Sequence, residues 1–178
     1  MVELPKLTLI SQEKEVFQVD PAIRNMSVLI FNLLEDSGDD FSEPVPLPGV
    51  PSKYMRHIIA YCELHRFQKA ETDLVYPLPS KNPADFISDF NELQFIQQFS
   101  EDDLINLIMA TNFMNVPALF ELCCAMIACD LKSKDFNQMK KKYGLEDVEF
   151  TPADEENILR QYPWILAEAD EKIAKLKR

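Results

Sequence analysis

The residues able to do chemistry in this chain are few, and their spacing speaks against their doing any. His57 and His65 are the two histidines, about two helical turns apart, with Cys62 between them. On a helix all three can face one way, as a metal site requires, but the spacing follows none of the usual zinc patterns. A Cys–His nucleophile needs a cleft and an orienting third group, and nothing nearby in the chain supplies either. Asp39-Asp40, Glu101-Asp102-Asp103 and Asp154-Glu155-Glu156 bring carboxylates together. Two of these clusters fall in the first turns of expected helices, where acids complement the dipole, and the third in a loop, so solvated charge accounts for all of them. The three glycines, Gly38, Gly49 and Gly144, stand far apart, which rules out a glycine-rich phosphate cradle or a dinucleotide fingerprint. The expectation is a protein with no catalytic residue, no cofactor and no metal.

The four cysteines, Cys62, Cys123, Cys124 and Cys129, contain no Cys-x-x-Cys pair. Three sit within seven residues of an expected helix, which reads as buried reduced thiols rather than a disulfide framework. The chain opens with no basic and apolar leader, and no apolar run is long enough to span a bilayer. These features point to a reduced compartment, cytoplasmic and/or nuclear. The net charge is −12, with seven basic against twelve acidic residues up to Ser80 and eleven against eighteen after it. Such a surface repels phosphate, so neither nucleic acid nor an anionic membrane is expected as partner. A protein partner with basic patches fits better.

The elements that would position these residues begin with a hairpin. Leu7-Thr-Leu-Ile-Ser11 alternates, Gln12 to Glu15 turns, and Val16-Phe-Gln-Val19 follows, with Leu7, Leu9, Phe17 and Val19 on the buried face. Asp20-Pro21 predicts a helix start, with apolar residues recurring through Ile23, Met26, Ile30, Leu33 and Leu34. Val45 and Leu47, set between prolines, suit a short edge strand. Val50-Pro51 opens a helix carrying Tyr54, Ile58, Ile59, Cys62 and His65 on one stripe. Periodicity fails between about Lys69 and Asn91, where prolines at 77, 79 and 83 mark an irregular linker.

The second half reads as helical throughout. Ser100 caps a helix through Leu104, Leu107, Ile108 and Thr111. Asn115-Val-Pro117 restarts one through Leu119, Phe120, Cys123, Cys124, Ile127 and Leu131. A short helix from Asp135 to Tyr143 stops at Gly144, and Thr151-Pro152 opens a last one carrying Ile158, Leu159 and Trp164. The division expected is 1–68, a linker over 69–91, helices over 92–167 and a charged tail over 168–178. These helices carry more apolar and aromatic residues than some 80 residues can enclose, and surplus apolar surface at that size meets a partner.

Val16-Phe-Gln-Val-Asp20, Ser27-Val28, Leu34-Glu-Asp36 and Pro44-Val-Pro-Leu-Pro48 together resemble the S-phase-kinase-associated adaptor family of SCF ubiquitin ligases. Tyr61-Cys62 and His65 continue the likeness, where that family has Trp-Cys and nearby histidines. So do Leu104 to Phe113, Leu119-Phe-Glu-Leu-Cys-Cys124, Lys132-Ser-Lys134, Phe150-Thr151 and Trp164, over roughly residues 5 to 167. The resemblance implies an α+β, mainly α fold: an N-terminal BTB/POZ-type domain, with a short sheet and helices, followed by C-terminal helices that form a partner-binding groove. It implies a non-catalytic adaptor that links F-box proteins to a cullin. The alternatives are an F-box-like partner in a cullin-free assembly, such as a kinetochore or vacuolar-ATPase regulator, and a self-associating POZ scaffold. A weak homodimer of the free chain belongs to the same expectation.

Carried over by position, Asn112 and Phe113 match the family's cullin-touching Asn-Tyr pair. Leu104, Val116, Phe120, Cys124, Ile127, Tyr143, Leu145, Phe150 and Trp164 match positions that face the F-box or back that face. The chain departs from the pattern in three places. Phenylalanine in place of the pair's tyrosine removes a hydroxyl, whose hydrogen bond would be worth about 1 kcal/mol net. The family's Thr-Pro-Glu-Glu helix start reads Lys134-Asp-Phe-Asn137, so its proline is absent. The family's tryptophan before the Asn-Tyr helix has no counterpart, with Phe90, Phe95 and Phe99 as candidates for its place.

Overall fold

The computed structural model describes residues 6–38, 40, 42–68, 74–145 and 151–164. Strands β1 (Leu7–Ile10) and β2 (Val16–Val19) form the expected antiparallel hairpin, with Leu7 opposite Val19 and Leu9 opposite Phe17. The alternation puts Leu7, Leu9 and Val19 in the core. Phe17 is only half buried, and the Arg56 guanidinium lies over its ring at 5.6 Å. A two-residue strand β3 (Val45–Pro46) pairs parallel with β1, giving the order β2-β1-β3. An edge position suits it, because its proline has no amide to donate.

The helix expected from Asp20 onward is two elements. Asp20 accepts from the Ala22 amide and caps a 3-10 turn, Pro21–Asn25. The chain then turns extended at Ser27, whose hydroxyl accepts from the Ile30 amide and so caps α1 (Val28–Asp36). The same hydroxyl donates to the Met114 carbonyl at 2.6 Å, and the Val28 amide donates to the Asn115 carbonyl at 2.9 Å. Ser27 is fully buried, so the break between the two helices is held from a distant part of the chain.

Helix α2 (Ser52–Leu64) buries Tyr54, Met55, Ile58, Tyr61 and Cys62, while His65, expected on this stripe, ends the helix as its C-cap. Its N-cap, Pro51, offers no side-chain acceptor. The missing acceptor comes from the β1–β2 turn. Glu13 takes hydrogen bonds from both the amide and the hydroxyl of Ser52, each at 2.7 Å, and Ser11 and Ser52 hydroxyls meet at 2.7 Å. These bonds hold the Glu13 carboxyl below its ordinary pKa, the Ser52 side chain contributing most and its backbone next. A depressed carboxylate pKa adds stability above the unfolded-state value, and that stability is lost as the pH falls through the folded value. The expected outcome is a thermal midpoint that drops on acidification through the carboxylate range. In Glu13→Gln the drop should be shallower, as read by circular dichroism melts at a series of pH values.

Three further helices complete the compact body: α3 (Phe90–Gln97), α4 (Glu101–Met114) and α5 (Pro117–Ser133). Helix α3 starts at the end of the stretch expected to be irregular. Ser100 caps α4 by accepting from the Asp103 amide, and Asn115 closes it in the left-handed region at φ 51°. Within 69–91, Leu78, Phe86 and Ile87 are buried, so part of this stretch packs as core. Tyr61, Phe95, Phe99 and His57 stack in sequence, with centroids 5.6, 5.3 and 4.7 Å apart, and knit α2 to α3. Phe90, by contrast, is exposed.

The chain divides into two compact units, Met1–Asp135 and Phe136–Arg178, so the stretch 69–91 lies inside the first. The described part of the second unit consists of α6 (Phe136–Lys142) and α7 (Pro152–Gln161). Gly144 follows α6 at φ 59°. Thr151 and Asp154 form a reciprocal capping box at the start of α7. Trp164, expected on this helix, lies beyond its end, past Pro163.

Candidate docking surfaces

Helix α4 is apolar on two sides. Leu104, Leu107, Ala110, Thr111 and Met114 are buried. Ile105, Met109 and Phe113, four residues apart, form an exposed stripe on the other side, with Met109 67% exposed at its centre. Asn112 is exposed beside this stripe. The Phe113 ring rests on Gly49: a Cβ there would meet its Cδ2 at 2.5 Å and its Cε2 at 2.7 Å. Only glycine leaves room for that ring, and the bonds from Ser27 and Val28 anchor the end of the helix that carries it.

Helix α5 has the same two-sided character. Ala118, Leu119, Leu122, Cys123, Ala125 and Cys129 are buried. Phe120, Cys124, Ile127 and Leu131, spaced four, three and four apart, are half exposed along one stripe. Leu104 and Val116 are 5% and 1% exposed, so they belong to the core and can only back such a face.

In the second unit no described residue of α6 or α7 is buried. Phe136, Tyr143, Leu145, Ile158, Tyr162 and Trp164 are all exposed, and the Tyr162 and Trp164 rings meet edge to face at 6.4 Å. Helices of seven and ten residues are marginal without tertiary packing, so this much uncovered apolar surface is suited to a partner. Phe150 lies outside the described residues.

Among the described residues the polar groups assemble no reactive set. All four cysteines are free thiols, and burial pushes Cys62 and Cys123 up to about 12, keeping both protonated. Glu92 Oε1 accepts from the Tyr61 hydroxyl at 2.8 Å and ties α2 to α3, while His65 Nε2 lies 3.0 Å from the same oxygen without making a hydrogen bond to it. His57 sits apart from it, against Phe99. Among the described residues no three His, Cys, Asp or Glu side chains converge as a metal site, and no helix is long and apolar enough to cross a membrane.

Sequence reasoning singled out Asn112, Phe113 and the α5 stripe but passed over Ile105 and Met109. The signal for these two was the four-residue spacing that ends at Phe113.

A mainly helical α+β body with apolar stripes on two consecutive helices defines a protein-docking module. Residues 5–67 match the Skp1 family tetramerisation domain and residues 117–165 match the Skp1 family dimerisation domain. The chain belongs to the Skp1 family. It is 28% identical to an S-phase kinase-associated protein 1 homolog of Tetrahymena thermophila, over 89% of this chain and 93% of that protein. Identity is also 28% to the suppressor of kinetochore protein 1 of Schizosaccharomyces pombe, over 90% and 98%. With the E3 ubiquitin ligase complex SCF subunit sconC of Arthroderma benhamiae it is 28%, over 89% and 94%.

Proposed function

We propose that this protein is a non-catalytic adaptor of an SCF-type ubiquitin ligase, holding an F-box protein on one surface and a cullin on another. The observation that carries the reading is the pair of apolar stripes on α4 and α5 of one compact unit, the first exposed and the second half exposed. Two faces serve two partners at once, whereas an enzyme would converge its polar groups in one cleft. Relatives that match over nearly their whole length are named as subunits of SCF ubiquitin ligases, which supports the same role here.

In this reading the cullin takes the α4 stripe, with Ile105 and Met109 extending the Asn112–Phe113 contact. The F-box takes Phe120, Cys124 and Ile127 of α5, with Tyr143, Leu145, Phe150 and Trp164 of the second unit as further contacts. Leu104 and Val116 support from beneath. The partner pair sets the substrate, and the protein itself turns nothing over.

Affinity purification of the chain from its native cell tests the role. Joint recovery of F-box proteins and a cullin is expected, and F-box proteins without any cullin would favour a cullin-free assembly instead. Asn112→Ala should reduce cullin recovery by roughly 3- to 10-fold and leave F-box recovery unchanged. Gly49→Ala reaches the same surface indirectly. The added methyl displaces the Phe113 ring, and cullin affinity should fall by about 5-fold in a titration, with the F-box affinity again unchanged.

A further inference from the structure

Leu74-Val-Tyr-Pro-Leu-Pro-Ser80 runs as a strap along one flank of α5. The Lys132 ammonium donates to the Leu78 carbonyl at 2.7 Å, and the Cys129 thiol approaches the Ser80 carbonyl at 3.7 Å. Leu78 is buried and Leu74 packs against the core, so the strap is fastened by side chains as well as by its backbone. At 3.6 residues per turn, Lys132 and Cys129 lie about a third to a half turn round the helix from the Phe120–Cys124–Ile127 stripe. Glu121 lies about a quarter turn from it, between stripe and strap. Tyr76 reaches this strip of surface, where burial first, and then Glu121 and Cys124, raise the pKa of its hydroxyl.

The strap is anchored, yet two of its apolar side chains are left in solvent. Val75 is 66% exposed and Tyr76 59% exposed. A segment whose only task was to connect α2 to α3 would place polar residues at such positions. Tyrosine combines a broad apolar face with a hydroxyl at little conformational cost, and is among the residues most enriched where interfaces concentrate their energy. The chain carries a net charge of −12, and the Glu121 carboxylate lies close enough to act on the Tyr76 hydroxyl.

We infer that Val75 and Tyr76 form the side wall of the α5 docking stripe. They would contact the F-box helix lying on Phe120, Cys124 and Ile127, and favour F-box partners that present an arginine or lysine at that edge. The basic side chain stacks over the Tyr76 ring and lies beside Glu121, an arrangement that suits a guanidinium best. The inference rests on the proposed F-box site and adds to it an element that selects among F-box partners.

The test is a titration of the full chain with a recombinant F-box domain taken from a protein that co-purifies with it, using wild type, Phe120→Ala, Tyr76→Ala and Tyr76→Phe. Tyr76→Ala should weaken binding by about 10-fold, and Tyr76→Phe, which keeps the ring, by less than about 3-fold. Replacing the edge arginine or lysine of the F-box domain by methionine should weaken the wild-type complex but not the Tyr76→Ala complex any further. If Phe120→Ala weakens binding while Tyr76→Ala stays within about 2-fold of wild type, the side wall is wrong and the stripe stands. If both variants bind as wild type, stripe and side wall fall together. Val75→Ser serves as the second variant should Tyr76→Ala alter the circular dichroism spectrum, and it is held to the same outcomes.

Discussion

Phe120→Ala should lower the affinity of the chain for an F-box domain by about 30-fold or more and leave the protein folded. Phe120 is the largest side chain of the α5 stripe, half buried, and it stands near the helix start. Large aromatic anchors at the centre of an interface carry most of its energy, whereas the smaller residues around them chiefly exclude water. The fold survives because Leu119, Leu122 and Cys123, on the other side of α5, hold the helix in place. A fully buried phenylalanine truncated to alanine costs about 3–5 kcal/mol of stability, and this half-buried one should cost less. Titration and a thermal melt of the same preparation separate the two effects, since a loss of affinity at unchanged melting temperature belongs to the interface.

Met109→Asp should reduce cullin binding by about 100-fold while F-box binding stays as in wild type. Met109 is the most exposed residue of the α4 stripe, and Ile105 and Phe113 flank it one turn away on either side. A carboxylate placed there is solvated in the free chain and unpaired once a partner covers it, so the penalty appears on binding alone. The free protein feels only the weaker helix propensity of aspartate, a few tenths of a kcal/mol. The buried side of α4, from Leu107 to Met114, is untouched. Pull-down of both partners by the same variant gives the comparison directly.

What the sequence made legible follows from where the decisive contacts lie. The β1–β2 hairpin, the Asp20 and Ser100 caps, the Thr151 helix start and the Gly144 stop are all set by neighbours within a few residues. The break at Ser27 is different, because its hydroxyl is held by a carbonyl 87 residues further on. The cap of α2 is likewise supplied from 39 residues away, by Glu13. No local pattern contains either bond. The α4 stripe was hidden for another reason. Leu104, Ile105, Leu107, Ile108 and Met109 surround the helix with apolar residues, so its pattern is that of a buried helix and only the four-residue spacing back from Phe113 marks the side that stays uncovered. Leu104 and Val116 show the converse, since family positions that meet or support a partner resolve here into core. The cullin contact proposed at Asn112 and Phe113 could be read only because the resemblance placed it; the spacing from Ile105 extends that proposal by two turns.

Light scattering coupled to size exclusion, on the full chain mixed with an F-box domain and a cullin N-terminal domain, measures the adaptor role most directly. The expected result is a single species with one copy of each component, in which neither partner displaces the other. Mutual displacement of the two partners, or a chain that stays a lone homodimer in the presence of both, would contradict it.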